Sequence, residues 1–170
     1  EKRKRQIEFL SIFKKLLEKN KNLLLILVGS GILLNYAKKK VLELKIKQNV
    51  LFIGFSNSPE KYIVLADLCV MNSIREGLPR VVPQYIASGK PVITSNLPGI
   101  NEIIKNNKNG IIFNKNNQNE LYKKLNFLIQ NKKIINKLTS GAKNTDISKW
   151  SEKNMPKKIE SLYKKLLLHK

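Results

Sequence analysis

Short apolar runs that alternate with helical patterns are the feature that most constrains the fold of this chain. Continuous apolar runs of four to eight residues are typical of strands that are buried on both faces. Five such runs cover residues 23–29, 49–55, 68–73, 90–95 and 110–114. Apolar residues recur with helical spacing before and between these runs, as in residues 6–20 and 32–45. Because parallel strands need crossover connections, this alternation predicts a doubly wound α/β domain with a parallel sheet.

The ends of several predicted elements carry residues typical of helix boundaries. Ser58 followed by Pro59 predicts a helix start, with serine as the cap and proline at the first helical position. Gly89 follows residues 80–88 and predicts the end of a short helix there. The pattern is helical over residues 118–170, which we expect to form C-terminal helices of the same domain.

The net charge of +21 is the most pronounced feature of the composition. Basic clusters occur at residues 1–5, 38–40, 105–108 and 153–158. These clusters lack the interleaved aromatic residues of a surface that binds single-stranded nucleic acid, so a nucleic-acid partner is disfavoured. An anionic membrane surface attracts clusters of lysine and arginine, so peripheral membrane contact stays open as a use of the charge.

The cysteine content and the hydropathy pattern bear on the compartment. Cys69 is the single cysteine of the sequence and lies in an apolar run, which predicts a buried thiol rather than a reactive one. No apolar run approaches the ~20 residues that a membrane span needs, and no apolar signal segment opens the chain. The sequence therefore predicts a cytoplasmic protein, with peripheral contact at the inner membrane face as a further expectation.

Ligands of open parallel sheets bind outside the carboxyl ends of the strands, so the loops after the strands are the candidate sites. Gly29 and Gly31 suggest a dinucleotide fingerprint, but Leu34 stands where its third glycine would be. The acidic residue expected about 20 positions further on is also absent, which disfavours a nicotinamide cofactor. Gly54 and Phe55 close the next strand and suit backbone contact with a flat ring. A plain tight turn is an equal alternative at both places.

The loop over residues 75–80 is the most informative of these strand ends. Glu76 follows a buried strand and precedes a short helix, and we expect Gly77 to allow an unusual turn there. The N–H groups at the start of the following helix can meet phosphate oxygens. In the next loop, Glu102 is equally suited to cap a short helix and to touch a ligand.

Read in order, these stretches resemble the C-terminal domain of retaining GT-B glycosyltransferases of family four, the glycosyl transferases group 1. The stretches that carry the resemblance are LLLILVGSG, VLFIGF, YIVLADLCVMNSIREGLP, IASGKPVITSNLPGINEII and NGIIF. The resemblance implies a nucleotide-diphosphate-sugar donor, with Glu76 holding hydroxyl groups of the donor sugar. It implies a second glutamate, for the ribose, eight residues after the first, and that position is Gln84 here.

The resemblance also assigns the remaining donor-binding positions. Lys4 aligns with a family lysine that neutralises the donor diphosphate, and Arg5 stands where glycine is usual. Pro79 offers no N–H group, so phosphate donors must come from its neighbours. Gln84 keeps a carbonyl acceptor for a ribose hydroxyl but loses the charge of a glutamate. The full donor-binding set is Lys4, Gly29, Gly31, Gly54, Phe55, Ser73, Gly77, Leu78, Pro79, Arg80 and Gln84.

The resemblance further predicts that residues 1–170 form the donor-binding half of a larger enzyme. Relatives open this domain with a strand that ends in Gly-Arg, and that strand is expected at the centre of the order 3-2-1-4-5-6. It is missing before Glu1, as is the N-terminal acceptor domain. We therefore expect a fragment that lacks its first, central strand and is inactive alone.

The predicted function is transfer of a sugar to a glycan or lipid-linked acceptor, as in the synthesis of capsule or other cell-surface polysaccharides. No metal-ligand cluster is visible in the sequence, and no cofactor is expected beside the donor substrate. Two alternatives stay open: a GT-B epimerase or phosphorylase relative, and a basic module that binds nucleic acid or membrane.

Overall fold

A computed structural model describes residues 1–77, 79–151 and 154–168. The strands are β1 (Leu25–Val28), β2 (Val50–Gly54), β3 (Cys69–Met71), β4 (Val92–Ser95) and β5 (Gly110–Phe113). The helices are α1 (Gln6–Lys19), α2 (Leu34–Glu43), α3 (Glu60–Ile63), α4 (Val81–Ala87), α5 (Ile100–Ile103), α6 (Gln118–Gln130), α7 (Lys132–Lys143) and α8 (Asn154–Leu168). Short 3-10 helices cover Lys2–Lys4, Lys47–Asn49 and Ser148–Trp150.

The strands pair in parallel and form two separate sheets. β1 pairs with β2, and β4 lies between β3 and β5. The expected order 3-2-1-4-5-6 places one further strand between β1 and β3, and none of the described residues forms a strand there. The structure thus confirms the predicted parallel α/β fold, while the lack of a central strand stays a prediction.

Alternate residues of the three-stranded sheet enter two different apolar cores, as the two-residue period of a strand requires. Val70, Ile93 and Ile111 face the first core, which α1, α2, α6 and α7 cover. Cys69 and Val92 face the second core, to which α3, α4 and α5 contribute. Helices therefore cover both faces of this sheet, and Cys69 is buried as predicted.

The β1–β2 sheet differs from the prediction that its strands are buried on both faces. Leu25, Leu27 and Phe52 pack against the first core from one face. On the other face, Val28 is 40% exposed and Leu51 is 45% exposed. That expectation is wrong for β1 and β2 because the described helices cover only one of their faces.

Two helix boundaries test the predictions made from capping residues. α3 begins at Glu60 after Pro59, and Ser58 makes no side-chain cap hydrogen bond to it. The Ser58 cap is therefore wrong; instead, the Ser58 backbone N–H donates to Ser56 Oγ at 3.1 Å. Gly89 takes a φ of +66° directly after the C-terminal cap of α4, which confirms the predicted helix end.

The C-terminal part of the chain is helical, as the periodicity predicted. α6 and α7 pack against each other, and the 3-10 helix Ser148–Trp150 contacts α8. Within the described ranges, no helix combines the length and the apolar character needed to cross a bilayer.

Candidate functional site

The candidate site lies at the carboxyl ends of β3, β4 and β5. Residues at the ends of these strands and just after them form a group of polar side chains, which are Asn72, Ser73, Glu76, Ser95, Asn96 and Gln118. Parallel strands end at the same edge of a sheet, which explains why residues so far apart in sequence meet here. The first five residues of the chain lie against the same edge, because the Ile74 N–H donates to the Arg3 carbonyl at 2.8 Å.

Glu76 has a hydrogen-bond donor on each carboxylate oxygen. Ser73 Oγ donates to Oε1 at 2.9 Å. Arg3 Nη1 donates to Oε2 at 2.5 Å and also to the Arg75 carbonyl at 3.3 Å. The Glu76 side chain is only 14% exposed. The carboxylate is therefore held in one orientation, while each oxygen keeps lone-pair capacity for a further donor.

The polar residues next to Glu76 are buried or half-buried and hydrogen-bonded to one another. Ser95 Oγ donates to the Ser73 carbonyl at 2.6 Å, and both serines are buried. The side-chain amides of Asn72 and Gln118 exchange hydrogen bonds of 2.8 and 3.0 Å. Because buried polar groups with satisfied hydrogen bonds are rigid, these pairs fix the floor of the site.

The N-terminal residues give the site a positive side. The hydrogen bond and charge of Glu76, together with those of Glu1, raise the pKa of the Arg3 guanidinium above its ordinary value. The Arg5 guanidinium donates to the Lys115 carbonyl in the loop after β5. Lys4 lies between these arginines and is exposed. A carboxylate flanked by cations can accept hydroxyl donors and sit beside an anionic group.

An open cavity of about 380 Å³ lies between the N-terminal segment and the start of α2. Lys2, Arg5 and Gln6 line it from one side, and Leu33 and Tyr36 line it from α2 and the residue before it. A second cavity of about 370 Å³ lies between α6, α7 and β5, away from Glu76. Glu76 lines neither of these cavities.

Comparison with known proteins identifies the family. A family model described as "Glycosyl transferases group 1" matches residues 1–145. The chain belongs to this family. Among curated relatives, an uncharacterized glycosyltransferase of Methanocaldococcus jannaschii is 29% identical over 88% of this chain and 39% of its own length. A UDP-Gal:alpha-D-GlcNAc-diphosphoundecaprenol alpha-1,3-galactosyltransferase of Escherichia coli is 25% identical over 85% of this chain and 38% of its own length.

Solved structures of glycosyltransferases share the fold. A TarM mutant of S. aureus, in complex with fondaparinux, alpha-GlcNAc-glycerol and UDP, matches with a TM-score of 0.85 and 23% identity. This match covers 95% of the present chain and 33% of TarM. The C-terminal domain of a group 1 glycosyl transferase of Francisella tularensis matches with a TM-score of 0.78 and 23% identity, covering 89% of this chain and 82% of that one. The chain spans about two fifths of the curated relatives named above.

The group 1 glycosyl transferase domain brings some of the sequence-predicted site residues together. Ser73 and Glu76 share a hydrogen bond, and Lys4 follows the arginine that contacts Glu76. Gly29 and Gly54 form a separate pair at the ends of β1 and β2, where the Gly29 N–H donates to the Gly54 carbonyl at 2.6 Å.

These glycine loops are turns with positive φ. Gly29, Gly31 and Gly54 have φ values of +125°, +153° and +78°, and a side chain built on any of them would meet no atom within 4 Å. Phe55 is 74% exposed beside them. The contact of this edge with a flat ligand ring stays a prediction.

The residues after Glu76 differ in their exposure to solvent. Gly77 and Arg80 are exposed, whereas Pro79 is buried and its carbonyl accepts the Val82 N–H at 2.9 Å. Gln84 is exposed on α4. Leu78 lies outside the described residues. The expectation of an unusual turn at Gly77 is wrong, because the φ of Gly77 lies outside the left-handed region that favours glycine.

Sequence reasoning missed Arg3, Arg5 and the Asn72–Gln118 pair. Arg3 and Arg5 flank Lys4 in a basic run, and such a run gives no signal of which cation turns toward a carboxylate 73 residues away. The side chain of Glu102, for which both a cap and a ligand contact were considered, is exposed on α5 and makes no hydrogen bond to the described residues. No group of three or more His, Cys, Asp or Glu side chains in the described parts could hold a metal ion.

Proposed function

We propose that residues 1–170 form the donor-binding half of a retaining glycosyltransferase that uses a nucleotide-diphosphate-sugar. The observation that carries this proposal is the carboxylate of Glu76, held on both oxygens at the sheet edge of a group 1 glycosyl transferase domain. Sugar hydroxyls are donors, and a carboxylate is the acceptor that forms the stronger, charge-assisted hydrogen bonds with them.

In this proposal the donor lies across the carboxyl ends of both sheets. Glu76 accepts hydrogen bonds from hydroxyls of the donor sugar, while Lys4 and the N–H groups near Gly77 and Arg80 meet the diphosphate. Gln84 bonds the ribose, and the loops that end β1 and β2 lie against the base. Phe55 offers an exposed ring there.

The proposed reaction breaks the bond between the sugar and the diphosphate and forms a bond between the same sugar carbon and an acceptor hydroxyl. The diphosphate leaves with the bonding electrons, and the proton of the acceptor hydroxyl passes to a phosphate oxygen of the departing diphosphate. Negative charge grows on the diphosphate in the transition state, so nearby cations such as Lys4 stabilise it more than the ground state. The residues described here position the donor and stabilise the leaving group.

We propose a glycan or lipid-linked acceptor, bound in a cleft against a second domain. The named acceptor of the Escherichia coli relative, linked to diphosphoundecaprenol, supports a lipid-linked one. A role in capsule or cell-surface polysaccharide synthesis, in the cytoplasm and at the inner membrane face, follows from such an acceptor. The net charge of +21 favours contact with an anionic membrane.

Calorimetric titration tests the donor site. The full-length protein is titrated with UDP, GDP and ADP and with UDP-glucose, GDP-mannose and ADP-glucose. We expect one nucleotide to bind, and Glu76→Gln to weaken its sugar conjugate roughly tenfold while leaving the free nucleotide unchanged, because only the charge on the sugar-binding side chain is lost.

Glu18→Gln is the matched control, since Glu18 is exposed on α1 and its substitution removes the same charge. Binding of none of the six compounds, or equal weakening of both conjugate and nucleotide by Glu76→Gln, contradicts the proposed donor site. Identification of the product as a glycoside, an epimerised sugar or a sugar phosphate then separates a transferase from an epimerase or a phosphorylase. The anomeric configuration of a glycoside product shows whether the transfer is retaining.

A further inference from the structure

We propose that Arg3 is a positioning residue, which holds the Glu76 carboxylate in the orientation that receives the donor sugar. This inference rests on the proposed function, because it assumes that Glu76 binds the sugar. Arg3 is not among the residues that sequence reasoning or the family resemblance assigned to the site.

The contacts of Arg3 join its main chain and its side chain to one loop. Its carbonyl accepts the Ile74 N–H at 2.8 Å, and its Nη1 donates to the Arg75 carbonyl at 3.3 Å and to Glu76 Oε2 at 2.5 Å. A side chain anchored at both ends loses little further freedom when it binds the carboxylate. Arg3 can therefore define where Oε2 lies.

Ser73 supplies the second point that orientation requires. It donates to Oε1 at 2.9 Å, so the two carboxylate oxygens have different donors that lie on different segments of the chain. Two fixed donors set the plane of a carboxylate, and a planar carboxylate then presents its remaining lone pairs in fixed directions. Those lone pairs are what a sugar hydroxyl meets.

The exposure of the two partners argues for positioning rather than for stability. The Arg3 side chain is 40% exposed, whereas the Glu76 side chain is 14% exposed. Ion pairs with one partner in solvent add little to the free energy of folding. The same contact, however, decides which way the nearly buried Glu76 carboxylate points. A carboxylate that points the wrong way binds the donor sugar much more weakly.

A direct contact between Arg3 and the diphosphate is the competing role. Two of the donor nitrogens of Arg3 are engaged, because Nε also contacts the Glu1 carboxylate at 2.7 Å. A guanidinium used in this way acts through Glu76, so its loss should affect the sugar and not the nucleotide. The positioning role therefore predicts weaker binding of the nucleotide-sugar alone, whereas a direct contact with the diphosphate predicts weaker binding of the free nucleotide as well.

The test measures the sugar increment, defined as the Kd for UDP divided by the Kd for UDP-glucose, together with the same ratio for GDP and GDP-mannose and for ADP and ADP-glucose. We expect Arg3→Gln in the full-length protein to lower this ratio roughly tenfold, as loss of a charge-assisted contact would. Arg3→Lys should restore part of it. In the Glu76→Gln background, Arg3→Gln should change nothing further, because the positioned carboxylate is already gone.

Arg75→Gln is the matched control. It removes the same charge one residue from Glu76, and the Arg75 side chain is exposed and makes no hydrogen bond or ion pair to the described residues. Arg75→Gln should leave the sugar increment unchanged. An equal fall after both substitutions would assign the effect to net charge and overturn the positioning role.

Two other results also overturn it: an unchanged sugar increment after Arg3→Gln, and equal weakening of UDP and UDP-glucose that persists in the Glu76→Gln background. If the wild-type protein binds none of the six compounds, the proposed function itself fails, and the positioning of a donor sugar fails with it.

Discussion

At the scale of single residues, the site depends on how its acidic side chain is held. Glu76 has one donor from the neighbouring Ser73 and one from Arg3, which is distant in sequence. Gln84, eight positions after Glu76, is exposed on α4 and has no side-chain hydrogen bond to the described residues. Its amide is therefore available to a ligand without rearrangement.

Gln84→Glu should tighten nucleotide binding. A glutamate would replace a neutral acceptor with a charged one, and charge-assisted hydrogen bonds exceed neutral ones by about 1 kcal/mol, or roughly fivefold in Kd. Calorimetry with the free nucleoside diphosphate measures the change. Gln130→Glu is the control, because Gln130 is exposed at the end of α6 and its substitution adds the same charge. Unchanged or weaker binding after Gln84→Glu would remove this residue from the ribose site.

Cys69 gives a prediction about alkaline pH. Burial raises the pKa of its thiol from an ordinary value of 9.0 to about 12. Between these values the unfolded chain loses a proton that the native chain keeps, so stability falls as the pH rises, by up to about 1.4 kcal/mol per pH unit. Urea unfolding of the wild-type protein and of Cys69→Ala from pH 8 to 11 should show a shallower fall in the variant. Parallel slopes would contradict a buried, protonated thiol.

At the scale of elements, covered faces and close approaches explain the packing. Helices cover both faces of the β3–β4–β5 sheet but one face of the β1–β2 sheet. α7 approaches the loop before β5 very closely at Gly141. A side-chain carbon built on Gly141 would lie 1.9 Å from the Lys108 carbonyl oxygen. A helix interior normally disfavours glycine, so this contact explains its presence there.

Gly141→Ala should destabilise the protein. The gain in helix propensity is at most about 1 kcal/mol, and the overlap with the Lys108 backbone forces α7 away from β5 at a cost that exceeds it. We expect a net loss of about 1–3 kcal/mol in the free energy of unfolding, measured with urea. Gly77→Ala is the control, because an added carbon there meets nothing within 4 Å. If Gly141→Ala is as stable as the wild type, the loop at Lys108 moves aside without cost and the prediction is wrong.

At the scale of the whole molecule, one strand position and one charge imbalance stand out. The two sheets leave a place between β1 and β3 that no described strand fills, and the chain carries a net charge of +21. α8 adds exposed apolar side chains, which are Ile159, Tyr163, Leu166 and Leu167. Charge acts over the whole surface, so its effect on binding is separable from that of Glu76.

The charge predicts binding to anionic vesicles. The protein should co-sediment at low salt with vesicles that contain phosphatidylglycerol. The bound fraction should fall steeply as the salt concentration rises to about 0.5 M, because screening shortens the range of the attraction. Glu76→Gln should leave this binding unchanged while weakening the donor sugar. Equal binding to vesicles of phosphatidylcholine alone would contradict an electrostatic contact.

The sequence by itself determined the element types, the parallel α/β fold and the position of Glu76 after β3. These features follow from local patterns. The spacing of apolar residues, and residues such as Gly89 that end a helix, determine structure within a few positions along the chain. Only the tertiary structure decided that Arg3 reaches Glu76 and that one face of β1 and β2 is uncovered. Both depend on which distant segments meet, and no local pattern specifies that.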